Sequence, residues 1–243
     1  MPDDARAPGA ARLRTVAAVL AGGVGRRSGL DAPKQLAEIG GRSILERSIA
    51  AFDSHPDVDE VLVLMARSHV AEARAVVDSG GFAKVGAVIE GGTTRSDTSR
   101  RALKWLPADD CKLLLHDAAR PLVTARVIAA CVESLDHHDA VGVAVPATDT
   151  VFEVGAEGTI VDVPERSRLW RAQTPQGFKL SVIRRAHDLA AADPGFQPTD
   201  DCSVVLRYLP DVPVAVVRGD DGNLKITTSV DLELAEVLLR ESD

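Results

Sequence analysis

The sequence predicts an α/β fold in which a mostly parallel sheet is flanked by helices. Three observations carry that prediction. Short apolar runs of strand length alternate with stretches of helical periodicity. Several runs end in a glycine turn or a charged motif at the point where the chain would leave a sheet. A strand–helix–strand rhythm of this kind buries strands on both faces and gathers ligands at their carboxyl ends.

The elements follow in order. Val16–Leu20 reads as the first buried strand, and Gly22-Gly23-Val24-Gly25 follows it at once. Residues 43–53 form a helix, with Ser43 as N-cap and Glu46 three places on as a capping box. Glu60–Ala66 and Val85–Ile89 are strands on either side of a helix over Val70–Val77. Cys111–Asp117 is the next strand, Thr124–Leu135 a helix with His137-His138 in the exposed turn after it, and Ala140–Val145 a further strand ending at Pro146. The pattern then changes. Residues 147–163 hold two short β-type runs around Gly155-Ala156-Glu157-Gly158, which predicts a hairpin. Ser181–Ala191 is helical. Thr199 is expected to cap a helix whose first turn carries Asp200 and Asp201. Val212–Val217 is a strand, Lys225 is placed on a strand after it, and residues 230–240 form an amphipathic helix.

The chain has 243 residues, enough to bury a substantial core, and a formal net charge of −8. That charge argues against a nucleic-acid partner, since a phosphate-backbone binder needs a basic face. No run reaches transmembrane length, so no membrane partner is expected. Residues 1–14 mix charge with Pro, Ala and Gly, lack an apolar signal core, and are expected to be a mobile tail before one domain over residues 15–243. Cys111, Cys131 and Cys202 show no CxxC spacing. They are expected to be reduced thiols in a cytoplasmic protein.

The functional signal begins at the first glycine turn. Glycines let the main chain approach a ligand and point several N–H groups one way, and Arg26, Arg27 and Lys34 add positive charge beside them. A polyanionic nucleotide fits that cradle. The P-loop pattern fails, because Gly29 is followed by Leu30, and the dinucleotide pattern fails, because its last glycine would fall at Ser28. A second glycine turn, Glu90-Gly91-Gly92-Thr93-Thr94-Arg95, opens a hydroxyl-rich helix. Asp117, at a strand end, is the kind of oxygen ligand that Mg2+ takes beside a triphosphate. His116 reads as a packing or hydrogen-bonding residue.

Leu20-Ala21-Gly22-Gly23-Val24-Gly25-Arg26-Arg27, with Ala32-Pro33-Lys34-Gln35, resembles the signature of sugar- and polyol-phosphate nucleotidyltransferases. The PKQ ending narrows the resemblance to cytidylyltransferases acting on 2-C-methyl-erythritol 4-phosphate or ribitol 5-phosphate. Gly91-Gly92-x-x-Arg95-x-x-Thr98, His116-Asp117-Ala118-Ala119-Arg120-Pro121, Gln173-Thr174-Pro175-Gln176 and Asn223-Leu224-Lys225-Ile226-Thr227-Thr228 are similar to further motifs of that family, in order, across roughly residues 15–240.

The resemblance implies a Rossmann-like nucleotidyltransferase fold with a protruding β-hairpin dimerisation arm over residues 147–168, and hence a homodimer. It implies transfer of CMP from CTP to a polyol phosphate. Arg27, Lys34 and Lys225 would be catalytic. Ala21, Gly22, Gly23, Gly25, Gly91, Gly92, Thr98 and Ala118 would bind the nucleotide, with Arg95 supporting the 91–98 loop. Asp117 would hold Mg2+ and, with Arg120, meet the acceptor; Thr150 and Arg166 would reach the acceptor site of the other subunit. The QTPQ segment would line the acceptor pocket. HDAARP favours methylerythritol phosphate as acceptor and places the chain in isoprenoid precursor synthesis, whereas LAGG resembles the ribitol-phosphate enzymes. A nucleotidyltransferase for another sugar phosphate and a non-catalytic nucleotide-binding regulator are the remaining readings.

Overall fold

The computed structural model describes residues 12–22, 33–193 and 195–242. The strand β1 (Thr15–Ala21) is buried along its whole length, as its unbroken apolar run requires of a strand covered on both faces. Beyond a short 3-10 turn, β2 (Glu38–Ile39) and β3 (Arg42–Ser43) make a small hairpin. Helix α1 (Ile44–Asp53) follows, with the Ser43 side chain accepting from the Glu46 N–H. Then come β4 (Glu60–Met65), α2 (Val70–Gly80), β5 (Val85–Glu90), α3 (Arg95–Trp105), β6 (Lys112–Asp117), α4 (Ala125–Ser134) and β7 (Ala140–Pro146). The hairpin β8 (Glu153–Val154) and β9 (Ile160–Asp162) precedes β10 (Trp170–Lys179), α5 (Leu180–Ala190), α6 (Asp201–Tyr208), β11 (Val214–Arg218) and α7 (Ser229–Ser242).

Among the described residues the main sheet has the order β11-β7-β10-β6-β1-β4-β5. All neighbours are parallel except β10, which runs antiparallel between β6 and β7. The strand order reverses between β1 and β6, so a crevice opens there at the carboxyl ends. Alternate residues of β1 serve opposite faces. Ala17, Val19 and Ala21 pack with α1, α2 and α4, while Val16, Ala18 and Leu20 pack with α3, α5 and α6. Helix α7 lies apart, where Ala235 packs with Ile39, Ile44 and Ile226.

The predicted fold class holds, with particular corrections. Asp200, not Thr199, caps α6, its carboxylate accepting from the Ser203 N–H at 2.9 Å. A carboxylate one residue nearer the helix reaches that donor, which leaves Thr199 no capping role. Residues 223–228 form no strand; Ile226 instead donates its N–H to the Ala119 carbonyl, beside the end of β6. Helix α2 runs on to Gly80 before Gly81 ends it in a left-handed conformation. Of the stretch expected to be a tail, residues 1–11 lie outside the described residues. Arg12 pairs with Asp59, Arg14 pairs with Glu60 at 2.8 Å, and the Arg14 carbonyl accepts from Lys112.

Candidate active site

Burial of β1 on both faces leaves its carboxyl end as the place where polar chemistry can begin. Ala21 is buried and in register with Met65 of β4, and Gly22 follows. A Cβ on Gly22 would overlap the Thr98 Oγ1, and one on Gly91 would come within 2.9 Å of the Gly22 Cα. The two glycine loops therefore touch through bare backbone. Thr98 fastens the contact: its hydroxyl donates to the Thr94 carbonyl at 2.8 Å and accepts from the Gly92 N–H at 3.0 Å. Gly22, Gly91, Gly92 and Thr98 are thus brought together. Gly23, Gly25 and Arg27 lie outside the described residues.

Asp117 ends β6 beside this contact, with the Ala118 N–H bonded to the Leu20 carbonyl at 3.0 Å. Its two carboxylate oxygens face different cations. Arg95 Nε, at the start of α3, donates to one at 2.9 Å, and Lys225 Nζ donates to the other at 2.7 Å. Burial works against the charge on Asp117, yet these two cations outweigh it and hold the carboxyl well below the usual carboxylate range. Arg95 is raised although burial opposes its charge, because Asp201 and then Asp117 stabilise the guanidinium.

His116 lies beneath. Its Nε2 donates to the Arg120 carbonyl at 3.1 Å, so its Nδ1 accepts from the Thr174 hydroxyl at 3.0 Å, whose oxygen accepts from the Asp117 N–H. Burial lowers the His116 pKa to about 4, so the imidazole is neutral at pH 7. This matches the expectation of a hydrogen-bonding residue. Arg120 donates to the carbonyls of Asn223 at 2.7 Å and Ala172 at 3.1 Å. Lys34 Nζ reaches the Ile226 carbonyl at 2.7 Å, one residue from Lys225.

The QTPQ side chains are spent on fixing loops. Gln173 donates to the Asp220 carbonyl, Thr174 is fixed as above, and Gln176 donates to Asp200 and accepts from the Asp201 N–H. All three are buried.

The arm is a different surface. Val151, Phe152, Val154, Ile160, Val161 and Val163 are each about half exposed along the hairpin. Thr150 is exposed and Arg166 donates to the Thr148 carbonyl at 3.1 Å. Among the described residues no hydrogen bond joins either to Asp117, Arg120 or Lys225.

Among the described residues no group of three or more His, Cys, Asp and Glu side chains gathers as a metal cage. Asp117 is an ionised hard-oxygen donor, and each of its oxygens, accepting one hydrogen bond, keeps a further lone pair. That donor set fits a cation sharing one protein carboxylate with substrate phosphates.

Sequence reasoning gave Arg95 a loop-supporting role and missed what holds it. Asp201, 106 residues away, lies 2.6 Å from its Nη1. An acid in the first turn of a helix is explained by helix polarity alone, so the sequence carried no further signal of that contact.

Comparison with known proteins places the chain in a family. Residues 15–241 match the family model described as IspD: 2-C-methyl-D-erythritol 4-phosphate cytidylyltransferase. The 2-C-methyl-D-erythritol 4-phosphate cytidylyltransferase of Thermobifida fusca (strain YX) is 52% identical over 239 residues, covering 96% of each chain. A Haemophilus influenzae protein named bifunctional ribulose 5-phosphate reductase/CDP-ribitol pyrophosphorylase Bcs1 is 38% identical over 93% of this chain and 48% of its own length. The crystal structure of 4-diphosphocytidyl-2C-methyl-D-erythritol synthase from Anaerococcus prevotii shares the fold, with a TM-score of 0.83 over 94% of this chain and 96% of that one at 24% identity. With the crevice at the switch point, the paired glycine loops and the Asp117 cluster already in place, the match over nearly the whole described body means that this chain belongs to the IspD family of cytidylyltransferases.

Proposed function

We propose that this chain transfers CMP from CTP to 2-C-methyl-D-erythritol 4-phosphate, releasing pyrophosphate and forming 4-diphosphocytidyl-2-C-methyl-D-erythritol for isoprenoid synthesis. The observation that carries the reading is Asp117 held between Arg95 and Lys225, at 2.9 and 2.7 Å, beside the Gly22–Gly91 contact. An oxygen of the acceptor phosphate attacks the α-phosphorus of CTP, a new P–O bond forms, and the bond from that phosphorus to the pyrophosphate oxygen breaks. Such a step needs alignment and charge neutralisation rather than a covalent nucleophile.

The residues divide accordingly. Ala21, Gly22, Gly23, Gly25, Gly91, Gly92, Thr98 and Ala118 cradle the nucleotide. Arg27 and Lys34 face the charge that builds on the triphosphate. Lys225, whose side chain is 43% exposed, can turn from Asp117 to hold the α-phosphate against the attacking phosphate. Asp117 would then hold a divalent cation, Mg2+, which neutralises phosphate charge when bound. Arg120 uses two of its five N–H donors on main-chain carbonyls, its Nε is buried without a partner among the described residues, and the remaining terminal N–H groups are left for the acceptor phosphate. Thr150 and Arg166 serve the acceptor site of a second copy, reached by the arm over residues 147–168. The apolar side chains exposed along that arm support a homodimer. Residues 15–243 act as one domain. Three buried cysteines without a disulfide support a cytoplasmic setting.

Transfer to D-ribitol 5-phosphate is the second reading, favoured by Leu20-Ala21-Gly22-Gly23 and by the 38% identity to the Haemophilus protein. The 52% identity to the Thermobifida enzyme favours the first. Pyrophosphate release with CTP and Mg2+, run in parallel with the two acceptors, decides between them. Faster turnover with methylerythritol phosphate is expected. Preference for ribitol phosphate would transfer the chain to the second reading, and CTP binding without pyrophosphate release would leave a nucleotide-binding regulator.

A further inference from the structure

Behind Asp117 lies a second buried carboxylate for which helix capping gives no reason. Asp200 already caps α6. Asp201, only 1% exposed, points instead into the space between α3 and α5. One of its oxygens accepts from Arg95 Nη1 at 2.6 Å and from the Ser99 hydroxyl at 3.0 Å; the other accepts from His187 Nε2 at 2.9 Å. His187 is 4% exposed. An ionised carboxylate so placed costs several kcal/mol of desolvation unless its partners are well aligned. Helices α3 and α5 supply those partners, and the Gln176 side chain on β10 holds the Asp201 N–H at 3.0 Å.

Arg95 therefore touches two carboxylates while Asp117 touches two cations. The arrangement matters if Asp117 changes partners. When Lys225 leaves for a phosphate, Asp117 must remain open to a cation arriving with the nucleotide. A guanidinium with Asp117 as its only anion would close on it in a bidentate pair and compete for both oxygens. Asp201 anchors the guanidinium through Nη1, and in that position Arg95 meets Asp117 through Nε alone while its Nη2 is buried without a hydrogen-bond partner among the described residues.

We propose that Asp201 and His187 are positioning residues for the transfer reaction: Asp201 fixes Arg95, and His187 fixes Asp201, so that one oxygen of Asp117 stays available to the nucleotide's divalent cation. The inference rests on the reading of Asp117 and Lys225 given above. Three variants test it: Asp201→Asn, His187→Leu and His187→Gln, the last retaining an N–H donor near the position of Nε2. Two quantities are measured on the full-length chain, namely CTP affinity by calorimetry in EDTA and the Mg2+ concentration giving half-maximal pyrophosphate release.

In Asp201→Asn and His187→Leu the Mg2+ requirement is expected to rise about tenfold, the size typical of a lost outer partner. CTP affinity without metal should be unchanged or tighter, because no phosphate contact is removed, and in Asp201→Asn a negative charge is lost. His187→Gln should behave as the original chain. Parallel weakening of both quantities would mean general damage to the site and overturn the proposal, as would an unchanged Mg2+ requirement. If Asp201→Asn does not fold, the His187 pair decides alone by the same criteria. An original chain that releases no pyrophosphate would instead sink the functional reading underneath, so the two failures are distinct.

Discussion

Gly22 shows how a single residue is constrained by a neighbour far along the chain. Thr98 is β-branched and held by two hydrogen bonds, so it cannot turn away from a Cβ at position 22 without losing one. Gly22→Ala is expected to raise the KM for CTP about tenfold and to destabilise the fold by about 1–3 kcal/mol, the usual range for overpacking. Kinetics and thermal melting check this, and unchanged values in both would refute the contact. Lys34→Ala is a sharper test of chemistry. If Lys34 faces charge that develops in transfer, kcat should fall about 100-fold or more, while the melting temperature falls only modestly with the loss of its bond to the Ile226 carbonyl. An unaltered kcat would remove Lys34 from the mechanism. Both residues were picked out from the sequence, but for different reasons. Lys34 was named by charge near a glycine turn. Gly22 was named as part of a cradle, and the structure gives it a steric reason besides.

At the scale of elements, the strands and helices expected from the sequence are present where burial alone sets the pattern. The runs of β1, β4 and β6 are apolar because both faces are covered, and that is written in the chain. Errors fell at the ends. Thr199 and Asp200 are both good caps, and only the backbone path decides which meets the Ser203 N–H. Lys225 lies in a segment with strand-like composition, yet the neighbouring Ile226 N–H donates to the Ala119 carbonyl just past β6, a contact no local pattern encodes.

The start of α7 carries a pH dependence. The Asp231 carboxylate accepts from the Thr227 N–H and hydroxyl and from the Thr228 N–H. Burial opposes its ionisation, but these bonds outweigh burial and lower the pKa from 3.8 to about 2. The folded value lies below the unfolded one, so the contribution is complete above 3.8 and fades as pH falls toward 2. Asp231→Asn is therefore expected to lower the melting temperature at pH 7 and to narrow its gap to the original chain as pH falls through that window. A gap constant from pH 6 to pH 2 would exclude this origin.

The arm belongs to the scale of the whole molecule. Its apolar residues are half exposed in one chain, and neither Thr150 nor Arg166 meets the Asp117 cluster there. If the arm serves a second copy, two inactive variants should complement. In a mixture of Lys34→Ala and Arg166→Ala, each mixed dimer holds one site with an intact Lys34 and an intact Arg166 from its neighbour. Half the dimers are mixed, so about a quarter of the original activity should return. No recovery, with mixed dimers demonstrated by co-purification of differently tagged chains, would show that Arg166 acts within its own chain.

The sequence by itself determined the α/β class and the family, and it placed the candidate site at strand ends, because apolar periodicity and short motifs are local properties of a chain. Tertiary structure decided which charges meet. Arg95, Asp117, Asp201 and Lys225 span 131 positions (from 95 to 225), and their pairing depends on which strands adjoin and which helix ends face the same crevice. Side chains so distant in sequence gain their partners, their shifted ionisation and their chemistry only when the sheet is assembled.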